Sequence, residues 1–238
     1  YHLMNIIHSK RYLLFLCYLA ITVFLNGCSE NPFVSHIKEG VITYKIEYPS
    51  IPEDNVMLDL MPKKMEMSFK DNSYRTDIIA GMGLFKTSII SQEDKHQLTH
   101  TVKMLNKKYA SILSESDILK MNPDLANIEI EYTGNKKKIA GYKCKEAFLL
   151  KNGEKVYSVF YTENIKIKNP NKATPFDGIP GVLMEYEMLS YDTHMKFTVE
   201  QVLEKEINLS DLALEDGYEM VTAERLESEI QSIFNKVR

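Results

Sequence analysis

Gly40-Val41-Ile42-Thr43-Tyr44-Lys45-Ile46-Glu47-Tyr48 is the stretch on which the fold turns. Ile42, Tyr44, Ile46 and Tyr48 alternate with Thr43, Lys45 and Glu47. A period of two sends successive side chains to opposite faces of a strand. One face is therefore apolar and the other polar, as in a half-buried antiparallel sheet. Pro49 and Pro52 end the run.

The pattern recurs on both sides. Met65, Met67 and Phe69 alternate with Glu66, Ser68 and Lys70, and the Asp71-Asn72-Ser73 turn leads into a return strand over 74–79. A second hairpin is predicted over 84–91 and 95–105, around Gln92-Glu93-Asp94, with a further strand at 107–113. Ser114 or Ser116 caps a short helix through Lys120, which Pro123 stops. Ile128, Ile130 and Tyr132 resume the alternation with Glu129 and Glu131. Gly134-Asn135 is read as a chain reversal, with Lys136-Lys137-Lys138 at its tip. Strands are predicted at 142–150, 155–162, 181–189 and 194–203, and Asn152-Gly153 marks a tight turn. The stretch 169–181 reads as a loop rich in turn formers. Thr222 caps a last helix, whose Leu226, Ile230, Ile233, Phe234 and Val237 share one face.

A meander of this length must curl or be covered to hide its apolar face. The expected fold is α+β: a large curved antiparallel sheet, an open half-barrel, with one or two helices packed on its concave face. Met57, Met61, Met65, Met67, Met184, Met188 and Met195 suit either the filling of an irregular core or the lining of an adaptable apolar surface.

The start of the chain adds a compartment. Lys10 and Arg11 precede an apolar run at 12–24, broken by Thr22, and Leu25-Asn26-Gly27-Cys28 follows. A membrane-spanning helix needs about 20 apolar residues, so the run suits a signal peptide. Leu25 and Gly27 before Cys28 match a lipoprotein cleavage site. The expected organisation is a signal peptide at 1–27, with 1–3 an upstream extension before Met4, a lipidated tether at 28–39, and one domain at 40–238. Cys28 is the expected lipidation site and the protein's contact with the membrane. The expected location is the cell envelope, at the outer membrane, facing the periplasm or the cell surface. Ser29 fits outer-membrane sorting under the enterobacterial rule.

Cleavage would remove Cys17, leaving Cys144 as the only thiol beside Cys28, so no intramolecular disulfide is expected. Its apolar strand pattern marks Cys144 as a buried, inert thiol. The formal net charge is −4 and becomes −6 without Lys10 and Arg11. An acidic domain without a basic stripe has no electrostatic pull toward nucleic acid, and none is expected as a partner.

Catalytic patterns are sparse. His96 and His100 are expected on one strand face, about 13 Å apart, too far to chelate one metal. No histidine has an evident nucleophile partner. Glu129/Glu131 and Glu185/Glu187 alternate with apolar residues as solvated faces do. The expectation is therefore a non-enzyme with no cofactor and no metal.

Two segments carry a resemblance: Ile139-Ala140-Gly141-Tyr142-Lys143-Cys144-Lys145-Glu146-Ala147 and Phe176-Asp177-Gly178-Ile179-Pro180-Gly181-Val182-Leu183. Between them lies Val159-Phe160-Tyr161-Thr162. Together they resemble the GLPGLI family and neighbouring domain-of-unknown-function lipoproteins of Bacteroidota. Here that family's motif reads Gly-Ile-Pro-Gly-Val-Leu. Asp216-Gly217-Tyr218-Glu219 resembles the close of these domains. The resemblance implies a fold similar to the LolA/LolB lipoprotein carriers, with helices in the cup of a curved sheet. It brings no catalytic residues.

The resulting expectation is a membrane-anchored binder of a hydrophobic ligand, an acyl chain or apolar peptide. Strand alternation assigns Tyr44, Met67, Phe69, Tyr142, Phe148, Phe160, Met184 and Phe197 to its apolar pocket, with Gly178, Ile179, Pro180 and Gly181 as a loop motif. The alternative is a scaffold or assembly factor that takes an envelope protein through loop 169–181 or a sheet edge.

Overall fold

The computed structural model describes residues 36–121, 128–172, 174–190 and 192–237. The signal segment, Cys17, Cys28, most of the tether and the Pro123 helix stop lie outside these residues, as do the side chains of Ile233, Phe234 and Val237.

Twelve strands form one sheet in the order β12-β6-β5-β4-β3-β2-β1-β11-β10-β9-β8-β7. Two antiparallel meanders make it up. The first runs β1 (Glu39–Glu47), β2 (Lys64–Lys70), β3 (Ser73–Ala80), β4 (Phe85–Gln92), β5 (Gln97–Met104) and β6 (Lys107–Leu113). The second runs β7 (Ile128–Ile139), β8 (Tyr142–Lys151), β9 (Glu154–Thr162), β10 (Val182–Ser190) and β11 (Thr193–Leu203). They fuse where β1 pairs with β11, setting Ile46 opposite Phe197. The two-residue β12 (Glu219–Met220) runs parallel to β6.

The first alternation holds: Ile42, Tyr44 and Ile46 are buried, while Thr43 and Lys45 are not. Across the ladder Ile42 meets Met67 and Tyr44 meets Met65, so matched pleats bring apolar rows together. Left-handed backbone at Asp71 and Asn72, and at Asn152 and Gly153, closes the tight turns expected there.

Two local readings are corrected. Gly134-Asn135 does not reverse the chain; the β7·β8 register shifts between Tyr132 and Lys136, so these residues form a bulge. The reversal is Ala140-Gly141, with φ of 45° and 90°. Lys136-Lys137-Lys138 therefore belongs to β7 rather than to a tip. His96 is no strand neighbour of His100: it sits in the β4–β5 turn with φ 49°.

The class is also corrected. Strands hold 55% of the residues and helices 14%, which makes the protein mostly β, an open sheet not closed into a barrel. The helices do not pack on a concave face. Helix α1 (Glu115–Met121) and helix α2 (Ala223–Val237) stand at one end, against β6 and against β5 and β6. Leu226 and Ile230 of α2 bury Val102 and Tyr109, and Ile118 of α1 packs on Leu98 and Leu113. Both caps are side-chain caps: Thr222 Oγ1 accepts from the Arg225 amide, and Ser114 and Asp117 bond reciprocally.

Irregular chain, not helix, covers the middle of the sheet. The stretch 163–181 places Ile165, Ile167, Phe176 and Ile179 in the main core. On the opposite face, 204–218 runs over β2–β6 with Ile207 and Leu212 buried.

Candidate functional site

The expected pocket can be followed residue by residue. Tyr44, Met67, Phe69, Met184 and Phe197 are buried core side chains, and Tyr142 packs half-buried at the core margin. Phe148 points the other way: it alternates with buried Ala147 and Leu149, so pleating turns it to the opposite face, where Lys155 sits 3.6 Å above its ring. Phe160 alternates with buried Val159 and Tyr161 yet packs, partly buried, against the margin of the main core, with Lys137 5.2 Å above its ring.

What fills the core face is the chain itself. Phe176 meets Tyr186 edge-on at 5.1 Å, and Tyr186 stacks on Phe197 at 4.8 Å. Tyr44 lies 6.3 Å from Tyr186, and its hydroxyl donates to the Leu183 carbonyl at 3.0 Å. Burial raises both phenols well above their ordinary pKa, so they stay protonated and Tyr44 keeps that donor. A fully buried Phe such as Phe176 stabilises by about 1.5–3 kcal/mol.

The loop motif is what seats Phe176. Buried Asn171 donates from Nδ2 to the carbonyls of Ile179 and Gly181, both at 3.0 Å. Thr174 Oγ1 donates to the Asn171 carbonyl and accepts from the Phe176 amide. Ile179 N–H then closes a turn on the Phe176 carbonyl. Gly178 and Gly181 adopt φ of 96° and 87°. A Cβ on Gly181 would collide with the Thr162 carbonyl oxygen, whereas one on Gly178 would meet only the tip of Ile130 at 3.1 Å. Gly181 thus permits the close approach of loop and β9. At its far end the segment is held by a bridge of Ile165 with Ile37 and by an ion pair of Lys168 with Glu93.

Sequence reasoning misses Asn171, because an Asn in a turn-rich stretch reads as a turn former. It misses Glu146 as well. This carboxylate accepts from Thr133, Asn135 and Ser158 at 3.0, 2.8 and 3.1 Å. Burial pushes its pKa up, but these donors hold it below the ordinary range. It therefore stays charged and pins the β7 bulge. The bulged strand is the free edge of the sheet among the described residues.

The ionisable groups offer little chemistry. Cys144 is buried, which pushes its thiol up to about 11, so no thiolate forms near neutrality. Buried His100 has Nε2 2.9 Å from Thr87 Oγ1, and burial lowers its pKa to about 4. Against expectation, His194 joins Ser50, 3.4 Å from Nδ1, to Glu187, 2.9 Å from Nε2. That order matches a nucleophile, a base and an orienting acid. However, Ser50 is exposed, and His194 and Glu187 are 35% and 43% exposed. A serine contact of 3.4 Å is long for proton transfer. A groove of about 600 Å³ between α1 and α2 is lined by Asp117, Lys120, Glu224, Glu227 and Ser228, and none of the expected pocket residues borders it. Among the described residues no group of three His, Cys, Asp or Glu side chains could hold a metal, and no helix is long and apolar enough to cross a membrane.

Fold and surfaces define a mostly-β protein built on one broad open sheet with a self-filled core face. Residues 55–169, from the β1–β2 connection to the start of the loop, match the family described as domain of unknown function DUF4412. Two solved structures share the fold. The structure of PNGF-II in space group C2 matches with a TM-score of 0.52 at 15% identity, covering 81% of this chain and 32% of that one. PNGF-II in space group P21 gives 0.50 at 14% identity, with 81% and 33% covered. The chain thus spans about a third of the length of these structures. No curated protein matches the chain.

Proposed function

We propose that the chain is a lipid-anchored envelope protein that works without catalysis, as a scaffold whose free sheet edge takes an extended segment of a protein partner. Within that reading it is a GLPGLI-like lipoprotein of the Bacteroidota kind, held at the outer membrane through Cys28. The observation that carries the proposal is the filled core face beside an unpaired edge. Phe176 and Ile179 occupy the room that an acyl chain would need. That argues against the hydrophobic-ligand reading and leaves loop 169–181 little apolar surface to offer. Meanwhile, among the described residues, β7 pairs on one side only, with β8.

An unpaired strand offers a row of backbone donors and acceptors for another strand. The β7 edge is not uniform. From the bulge onward it carries Lys136, Lys137 and Lys138, features that blunt an edge. Its first part, 128–132, is regular and has no lysine. Partner pairing is assigned to that part.

A photo-crosslinking amino acid at Glu129 in the native envelope tests the docking. The expected result is a discrete protein adduct, absent when the same group is placed at Glu200 on β11. Native mass spectrometry of the purified protein supplies the opposing outcome: stoichiometric bound lipid, with no adduct at Glu129, would restore the ligand-carrier reading. Acyl labelling that persists in Cys28→Ser would refute the anchor.

A further inference from the structure

Three connections meet at the end of the sheet where β1 finishes. Gly81 N–H donates to the Leu60 carbonyl and Leu105 N–H to the Leu84 carbonyl, each at 3.0 Å. The β1–β2 connection, the β3–β4 tip and the β5–β6 tip are thereby joined into one rim. Its crest is aliphatic: Leu60, Met82, Leu84 and Leu105 are all exposed, Met82 by 91% and Leu105 by 64%.

Folding does not account for these residues. Met82 and Leu105 hold φ of 54° and 53°, a left-handed conformation that favours Gly or Asn and penalises long side chains. Neither side chain gains burial in return. The turns set this conformation, as they do at Asp71, His96 and Ala140, but they do not call for long exposed aliphatic side chains.

The surrounding charge points to an occupant. Gly81-Met82-Gly83-Leu84-Phe85-Lys86 and Lys103-Met104-Leu105-Asn106-Lys107-Lys108 contain four lysines and no acid, in a chain of formal net charge −4, while the β1–β2 connection sets Glu53, Asp54 and Asp59 against Lys63 and, at the start of β2, Lys64. Lys103 and Lys107 are exposed on either side of Leu105. Lys86 is held by Asp77 at 3.0 Å, and Asp59, next along the rim, is met by Lys63 at 3.0 Å. Protein hot spots favour Trp, Tyr and Arg and are poor in Lys, and the rim crest has none of those three. Protruding aliphatic tips with flanking lysines match the boundary of an anionic bilayer, where the tips enter the acyl region and the lysines meet phosphates.

We propose that the rim formed by Leu60, Met82, Leu84 and Leu105, with Lys103 and Lys107, docks on an anionic lipid surface. This contact is separate from the lipid on Cys28 and from the β7 edge, so it stands or falls independently of both.

The sequence contains no Trp, so one introduced residue reports alone. The full chain carrying Leu105→Trp is reconstituted into vesicles of phosphatidylcholine with about 30% phosphatidylglycerol, whose acyl chains are brominated. Leu203→Trp, exposed at the opposite end of the sheet, is the control. The expected result is about a two-fold loss of emission for the Trp at 105 and little change at 203, since only rim insertion brings bromine within contact. The quenching weakens in pure phosphatidylcholine. Lys103→Glu with Lys107→Glu lowers the apparent affinity on the order of five-fold per lysine. These sites are surface positions, so the variants retain the fold, which circular dichroism checks. Equal quenching at 105 and 203 would overturn the proposal, because attachment elsewhere would then explain both. So would no quenching at 105, or burial of that Trp only when a protein partner is added.

Discussion

Arg75 is the charge on which the C-terminal stretch closes over the sheet. Its guanidinium is buried, bonds Asp77 and Glu215 at 2.9 Å each, and donates to the Ala213 carbonyl at 3.2 Å. Two of these partners lie 138 and 140 residues away in sequence, so nothing local singles Arg75 out. Arg75→Met leaves Asp77 short of a partner and frees 204–218. It is expected to cost about 3 kcal/mol, read as a lower urea midpoint. His100 behaves differently because it is buried uncharged. Its folded pKa, about 4, lies below the ordinary 6.5. The unfolded chain therefore binds the extra proton between these values, and stability that is complete above pH 6.5 drains away as pH falls toward 4. Over that window the loss amounts to about 3 kcal/mol. His100→Leu should flatten this part of the stability–pH curve; an unchanged curve would place the acid sensitivity elsewhere.

At the scale of elements, alternation and turn chemistry make most strands legible, since pleating and left-handed turns leave a mark on neighbouring residues. The exception at Gly134-Asn135 has a physical reason. A bulge and a turn recruit the same residue types, and only the partner strand decides between them. The loop at 163–181 is legible as turns but not as the filling of the core, because Phe176 packs on Tyr186 of β10 rather than within the loop. Its dependence on glycine gives a graded test. Gly181→Ala sets a methyl against the Thr162 carbonyl at a left-handed φ and should loosen the whole loop, opening 163–181 to protease. Gly178→Ala meets only the end of the Ile130 side chain, so its cost should stay near the conformational penalty of about 1–2 kcal/mol. Asn171→Ala removes the bonds to the Ile179 and Gly181 carbonyls, one buried and one partly buried, an expected loss of about 2–4 kcal/mol. A melting order other than Gly178→Ala above Gly181→Ala would refute the role given to Gly181.

At the scale of the molecule, the order of the strands has no signature in the sequence. Meander neighbours can be inferred, but the β1·β11 seam joins residues about 150 positions apart in sequence, and it is this seam that makes one sheet of two. The helices are misplaced by sequence reasoning for a related reason. An amphipathic stripe says that a helix is covered, not which strands cover it. The lysines of β7 matter at this scale. Lys136→Val with Lys138→Val removes the blunting of the edge, and sedimentation velocity should then show concentration-dependent association. A strictly monomeric double variant would mean that the bulge alone protects the edge.

The two borders of the sheet are unlike, and that limits how copies can assemble. At one border stands the two-residue β12, flanked by α1 and α2; at the other lies the twelve-residue β7. A filament needs two mutually accepting borders so that each addition recreates the site it consumed. Here the border at β6 is interrupted, with Tyr109 and Ala110 taken by β12 and the helices packed against the strand, so it offers no long regular run to receive a strand. Pairing through β7 therefore ends in a closed stoichiometry, one guest per chain or two chains back to back, and a broad sheet can keep one side available without seeding fibres.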